Sequence, residues 1–323
     1  MALRIRRSRL PISAPSGVGI VAMRRWAHRT HLAGCLALLA ACRAGGGGGG
    51  KERSTAAGSL RVTDDAGRVL VLAAPPRRIV ALSPATSELL FALGAGDRLV
   101  GRTTWCDYPP DVRAVPSVGD GLDPNLEAIV ARHPDLVVLY PSPLDEAAAR
   151  RLGELGIPAA LLRQDRLEEL AHAARWLGAV TGHERAGDSL AQVLTDVLKA
   201  RAGDAEVRLA FVVWDNPPTV IGGASYLDEL AAHAGARNVF HDLDAPSAVV
   251  SLETIAARDP DVLAVLGDST SPPPDLARRR EWRTLRAVRE RHVITLAGSL
   301  FDRPTPRAAA AVAELRRLLE AAR

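Results

Sequence analysis

Leu126-Glu127-Ala128-Ile129-Val130-Ala131-Arg132-His133-Pro134-Asp135-Leu136-Val137-Val138-Leu139 returns 126 positions later as Leu252-Glu253-Thr254-Ile255-Ala256-Ala257-Arg258-Asp259-Pro260-Asp261-Val262-Leu263-Ala264-Val265, with seven of the fourteen positions identical. Each copy reads as a short helix, a Pro-Asp turn and a buried apolar strand. Solenoid repeats have periods of about 20–50 residues, so this longer offset marks two similar lobes carrying one copy each. Between the copies, His183 to Arg201 sets Ala186, Leu190, Val193, Leu194, Val197 and Leu198 at helical spacing, with a polar opposite face. Such a helix spans roughly 28 Å. Two like lobes joined by one long helix predict a ligand held between them, and the stiffness of a helical link predicts limited hinge closure.

Working outward from the first copy, Leu60 to Leu72 reads as a hairpin turning at Asp65-Ala66-Gly67. Arg77 to Leu82 is a strand. Ser83 caps the next helix, Pro84 suits its first position, and Gly94 closes it. Leu99-Val100-Gly101 is a further strand, and Leu167 to Val180 is helical by period. This alternation predicts a parallel sheet with helices on its faces. Ligands of such sheets sit at the carboxyl ends of the strands. That rule points to Ser83-Pro84, to the loop Thr103 to Pro110, and to Tyr140-Pro141-Ser142-Pro143. Trp105 and Tyr108 admit two readings: packing that loop down, or offering a flat surface to a ligand.

Around the second copy, Val207 to Trp214 is a strand, Asp215 to Thr219 a loop, and Ser225 starts a helix closed by Gly235. Asn238-Val239-Phe240 reads as a short strand, Val262 to Leu266 and Val293 to Leu296 as strands, and Trp282 to Val288 as a helix. Leu300 to Arg307 is a carboxyl-edge loop before a final helix reaching Ala321. The expected fold is α/β, with two Rossmann-like lobes, one connecting helix and a cleft between the lobes.

The formal net charge of +4 misleads, because residues 1–41 hold seven arginines and no acid; without them 34 basic residues face 37 acidic ones. A basic surface for nucleic acid is therefore not expected. Arg24, Arg25 and Arg29 precede an apolar run, Leu32 to Ala41, of about 10 residues, too short to span a bilayer and read as a secretory signal. Met23 is the natural start of such a signal. The run ends in Leu39-Ala40-Ala41-Cys42, which resembles the lipobox of bacterial lipoproteins and implies lipidation at Cys42. Acyl chains contribute about 0.8 kcal/mol per buried CH₂, so several make a lasting anchor. Gly45 to Gly50 begins a flexible tether. The expected organisation is a leader over 1–41, lipidated Cys42 and tether over 42–59, a first lobe over 60–181, the connecting helix over 182–203 and a second lobe over 204–323. The chain is expected to be exported and held at the membrane on the cell-envelope side. Cys106 is the one cysteine of the expected globular part and reads as a small semi-buried residue.

Taken together, Ile79 to Leu89, Asp107-Tyr108-Pro109-Pro110, Asn125-Leu126-Glu127-x-Ile129, Pro134-Asp135-Leu136-Val137, Asn216-Pro217-Pro218 and Phe301-Asp302-Arg303-x-x-Pro306-Arg307 resemble the solute-binding proteins of bacterial ABC importers. The family in question takes cobalamin, siderophores and heme, and the likeness is to its cobalamin binders first. The motifs run in order through about residues 60–320. The resemblance implies a monomer that binds a chelate between its lobes, holds no cofactor, and delivers the ligand to a permease and its ATPase. It implies that Glu127 and Glu253 dock on the permease, one from each lobe. Each glutamate also lies in the first turn of its helix, where a carboxylate complements the dipole for about 0.3–1 kcal/mol, and the two roles are compatible. The implied ligand-binding set is Ser83, Pro84, Trp105, Tyr140, Thr219, Ser247 and Arg303. Departures are also plain: Gly121, Thr219 and Ser247 stand where the cobalamin binders have aromatics, and Ser299 where they have an acid. Trp214 and Tyr226 are candidates to compensate.

The expected activity is capture of a cobalamin-like corrinoid, with a ferric siderophore or heme as the alternative. A cleft rich in arginine would favour anionic siderophores, with Arg102, Arg163 and Arg303 as candidates. Catalysis is not expected. Gly94-Ala95-Gly96 lacks the further glycine of a dinucleotide fingerprint, and neither a Gly-x-Ser-x-Gly elbow nor a P-loop occurs. For a bare metal ion, only His241 with Asp242 is suggestive.

Overall fold

Apolar alternation in Leu60 to Leu72 folds back at Gly67 into a hairpin of β1 (Leu60–Thr63) and β2 (Val69–Leu72). The computed structural model describes residues 59–199, 207–267 and 274–322. The leader, Cys42 and the glycine tether lie outside these residues, as does the end of the predicted connecting segment. After the hairpin come β3 (Ile79–Ala81), α1 (Pro84–Ala92), β4 (Leu99–Arg102), α2 (Leu126–Val130), β5 (Leu136–Leu139), α3 (Pro143–Glu154) and β6 (Ala159–Leu161). The four strands from β3 onward form a parallel sheet in the order β4-β3-β5-β6. Ile79, Val80 and Ala81, like Leu136 to Leu139, are fully buried, as strands covered on both faces require.

The chain then runs through α4 (Leu167–Thr181) and α5 (Glu184–Lys199) into the second sheet. Its elements are β7 (Val207–Asp215), β8 (Pro218–Ile221), α6 (Tyr226–Ala234), β9 (Ala236–Asn238), β10 (Ser247–Val249), α7 (Leu252–Arg258), β11 (Val262–Gly267), α8 (Arg286–Arg289), β12 (Val293–Ala297) and α9 (Ala308–Ala321). The path is β10-β8-β7-β11-β12, with β9 also on β7. β9, β7, β11 and β12 pair in parallel, whereas β8 and β10 add antiparallel strands at the edge. Two expectations change here. The segment read as a loop up to Thr219 turns at Asn216-Pro217 and returns as β8. The short strand lies at Ala236–Asn238 rather than at Asn238-Val239-Phe240.

The link between the sheets is not a lone strut. α5 is sixteen residues long, about 24 Å, and packs antiparallel against α4. Gly178 and Gly187 let the two backbones meet: a Cβ on Gly187 would lie 2.7 Å from the Ala174 carbonyl oxygen. Leu170 and Leu177 of α4, Leu194 of α5 and Leu315 of α9 belong to one buried cluster and have no exposed surface. Exposing four such leucines costs roughly 6–12 kcal/mol at about 1.5–3 kcal/mol each. Residues Ser54–Arg323 accordingly form one compact unit, with a continuous core running through the link.

Candidate functional site

The parallel strands β7, β11 and β12 end together, and a cavity of about 310 Å³ opens at that edge. Val213, Ile221, Leu266, Phe301 and Pro304 make its apolar walls, and Ser225, Tyr226, Asp302 and Arg303 its polar ones. Trp214, at the end of β7, stands at the cavity with 59% of its surface exposed. An indole that far into solvent contributes little to the core and offers a flat apolar face. Tyr226 is buried, and burial pushes its phenol above the ordinary range.

Behind Arg303 lies a charged cluster that joins the lobes. Glu88 comes from α1 of the first lobe and its side chain is 2% exposed. One of its oxygens accepts from Arg303 Nε at 3.3 Å and Nη2 at 3.2 Å, and from Arg307 Nη2 at 3.2 Å. The other accepts from Thr305 Oγ1 at 2.7 Å and Arg307 Nε at 2.9 Å. Arg303 also donates to Asp107, in the first lobe, and to its neighbour Asp302. Burial opposes the charge on Arg303, but the Asp107 hydrogen bond and the surrounding carboxylates outweigh it and raise its pKa. Burial pushes the Asp302 carboxyl upward. Arg307 stacks over the Tyr108 ring at 3.7 Å and reaches the carbonyl and hydroxyl of Ser299. Ser299 therefore helps to hold an arginine whose carboxylate partner is Glu88.

A second cluster crosses between the lobes at the start of α4. Arg166 Nε meets Glu229 Oε1 at 2.7 Å, and the Leu167 N–H reaches Glu229 Oε2 at 3.0 Å. Glu169 accepts from the backbone N–H groups of Asp165 and Arg166 at 2.7 and 3.1 Å, with Arg163 Nε 3.7 Å away.

Of the ligand-binding residues expected from sequence, Arg303 lines the cavity and the other six do not. Ser83 caps α1 by accepting from the Thr86 N–H at 3.1 Å, and its hydroxyl donates to Gln164 Oε1 at 2.7 Å. Pro84 opens the same helix. Trp105 is 52% exposed on the first lobe. Tyr140 donates to Asp165 Oδ2 at 2.6 Å. Burial first, then that hydrogen bond, push its phenol up to about 12. Thr219 lies opposite Trp214 in the β7–β8 ladder, and Ser247 opposite Ile221 in β10–β8. Gly121 has φ +83°, and a Cβ there would lie 2.7 Å from Thr103 and 2.9 Å from the Leu82 carbonyl. At that φ, and that close to a backbone carbonyl, any side chain is strained, so glycine suits the local fold. Arg102 spends its guanidinium on the carbonyls of Val112, Val115 and Thr103. His241 turns Nδ1 to Asp228 at 2.8 Å rather than to Asp242, whose carboxylate pairs with Arg258.

Glu88 escaped the sequence reading, although a signal was present. Helix α1 is apolar on most sides and carries one charge, and a charge inside a buried helix needs a partner. The partners lie more than 210 positions away, where no local pattern points back to them.

The repeat resolves into one construction built twice. Asn125 caps α2 and Ser251 caps α7, each accepting from the N–H three residues on. Glu127 and Glu253 are the second residues of these helices, and both are exposed. Its own backbone N–H and the Ser251 hydroxyl hold the Glu253 carboxyl below its ordinary value. The chain then turns through left-handed His133 (φ 48°) and Asp259 (φ 37°), a conformation more accessible to His and Asp than to bulky residues. Asp135 accepts from the Arg78 N–H at 2.8 Å, and Asp261 from the Arg208 N–H at 3.0 Å. The guanidinium of Arg78 donates to the carbonyls of Arg132 and His133, and that of Arg208 to those of Arg258 and Asp259. Each arginine thus ties the helix end to the sheet by binding carbonyls at or just past the helix C-terminus.

Two α/β lobes, a helical link and a cavity at the carboxyl strand ends define a solute-binding fold. The model of the periplasmic binding protein family matches residues 79–300, and the chain belongs to that family. The vitamin B12-binding protein of Salmonella typhimurium is 32% identical over 251 residues, which are 76% of this chain and 91% of the relative. The crystal structure of the periplasmic vitamin B12-binding protein BtuF of Vibrio cholerae superposes with a TM-score of 0.64 at 25% identity, covering 77% of this chain and 98% of that one. The periplasmic heme-binding protein BhuT, in complex with two hemes, reaches a TM-score of 0.65 at 25% identity, covering 76% and 98%.

Proposed function

We propose that this chain captures a cobalamin-like corrinoid and delivers it to an ABC permease and its ATPase, doing no chemistry on the ligand. It is exported and held to the membrane through acylated Cys42. The observation that carries the delivery reading is the pair Glu127 and Glu253. Two exposed carboxylates stand at equivalent positions on helices braced in the same way, as a two-fold symmetric partner with basic sockets would require. The ligand reading draws on the likeness to vitamin B12-binding proteins. A cavity of about 310 Å³ is at the small end of ligand sites, which run about 300–1,000 Å³. It takes an edge or arm of a chelate, while the exposed faces of Trp214 and Trp105 support the rest. Heme fits these residues less well. Heme iron is held by histidine, cysteine, methionine or tyrosine ligands. Among the described residues, none of the first three lines the cavity, and Tyr226, the tyrosine that does, is buried with its phenol pushed above the ordinary range, which opposes the phenolate a metal would need. Labelled cyanocobalamin uptake by cells whose only copy is Glu127→Ala/Glu253→Ala tests the proposal. Uptake should fall to background while ligand binding and melting temperature stay at wild-type values; undiminished uptake removes the docking role.

A further inference from the structure

The two clusters beside the cavity share a composition. Glu88, Asp107 and Asp302 face Arg303 and Arg307 in one. In the other, Glu169 faces Arg163 and Glu229 faces Arg166, and Asp165 adds a third carboxylate that accepts from Tyr140. Each holds three carboxylates against two guanidiniums. Tyr226, in the cavity wall, feels Glu88 and Arg307 from the first cluster and Glu229 from the second. Among the described residues, Arg303 is the one arginine lining the cavity, and its side chain is 13% exposed and engaged by carboxylates from both lobes. An anionic ligand would have to displace Asp107 or Glu88 from it. That exchange strips a guanidinium from a half-buried Asp107, or one of two from the buried Glu88, which is costly. Of the other arginines expected to favour anions, Arg163 sits beside Glu169 and Arg102 is wrapped in loop carbonyls.

Building on the binding role proposed above, we infer that this cleft selects by charge: it takes a neutral or cationic chelate and rejects anionic ones. This inference runs against the expectation that arginine favours anionic siderophores, because Arg303 and Arg163 face carboxylates and Arg102 faces carbonyls. The class admitted contains neutral corrinoids and neutral or cationic ferric hydroxamates. The class excluded contains ferric tris-catecholates and heme with its two propionates.

The test is calorimetric titration of the purified protein with two pairs that differ in charge. One pair is cyanocobalamin and the mixture of its singly hydrolysed isomers, in which one rim amide has become a carboxylate of nearly the same volume. The other is a cationic ferric tris-hydroxamate and an anionic ferric tris-catecholate. The neutral corrinoid should bind at least about tenfold tighter than its carboxylates, a difference of about 1.4 kcal/mol. Raising the salt should narrow that gap, because screening weakens repulsion between charges that remain accessible to solvent. Asp107→Asn should narrow it to less than about threefold. The wild-type comparison needs no variant, so a poorly folded Asp107→Asn leaves the test intact. Equal or tighter binding of the carboxylate isomers overturns the charge rule while leaving corrinoid capture standing. Binding of the hydroxamate but not the catecholate, with no corrinoid bound, upholds the charge rule and removes the corrinoid reading. Binding of the catecholate alone, or of none of the four, overturns both.

Discussion

Replacing Glu88 by glutamine removes one charge from the centre of the inter-lobe cluster and keeps the side-chain volume. The carboxylate is almost fully buried and accepts from Arg303, Thr305 and Arg307. Removing one partner of a buried ion pair costs about 3–5 kcal/mol, and single hydrogen bonds to charged groups contribute about 1.5–3 kcal/mol. Glutamine keeps one carbonyl acceptor, and Arg303 keeps Asp107 and Asp302, so the low end applies, about 3 kcal/mol. In a body of this size 1 kcal/mol moves the melting temperature by about 2–4 °C, giving a fall of roughly 6–12 °C. Scanning calorimetry of the purified protein measures it. A double-mutant cycle with Arg307→Gln should return a coupling of at least about 1 kcal/mol, since residues in one network do not add. A fall of less than about 2 °C, or an additive cycle, refutes the view that this cluster joins the lobes.

Gly187→Ala places a methyl 2.7 Å from a backbone carbonyl; overpacking of about 1–3 kcal/mol should exceed the roughly 1 kcal/mol gained in helix propensity, and a rise in melting temperature would show that α4 and α5 separate freely. Tyr140→Phe should abolish a phenolate absorbance step near pH 12. Because the folded pKa lies above the ordinary 10.0, stability from the bound proton is full below pH 10 and lost as pH rises toward about 12, so the variant's stability should depend less on pH across that window.

The duplicated stretch made the architecture readable from sequence, because each copy carries its own stop signals: an N-cap, a Pro-Asp turn and an apolar run long enough for a buried strand. Ser83-Pro84 and Gly94 marked α1 for the same reason, each residue acting on its own neighbourhood. The β8–β10 edge was less legible. Two prolines in Asn216-Pro217-Pro218 argue against a strand, yet proline is tolerated where β8 begins, and Ser247–Val249 carries no clear alternation. At the site, Arg303 was visible as part of a motif, but its setting was not. Whether an arginine offers its charge to a ligand depends on which carboxylates the fold brings to it, and Glu88 and Asp107 are about two hundred residues away in the chain. Gly121 illustrates the same limit: the glycine is legible in the sequence, while the left-handed backbone that favours it is not.

The most direct test of the central claim is a calorimetric titration of the purified protein with cyanocobalamin. One-to-one binding with a submicromolar Kd is expected. No corrinoid binding, with a ferric siderophore or heme bound instead, would contradict it.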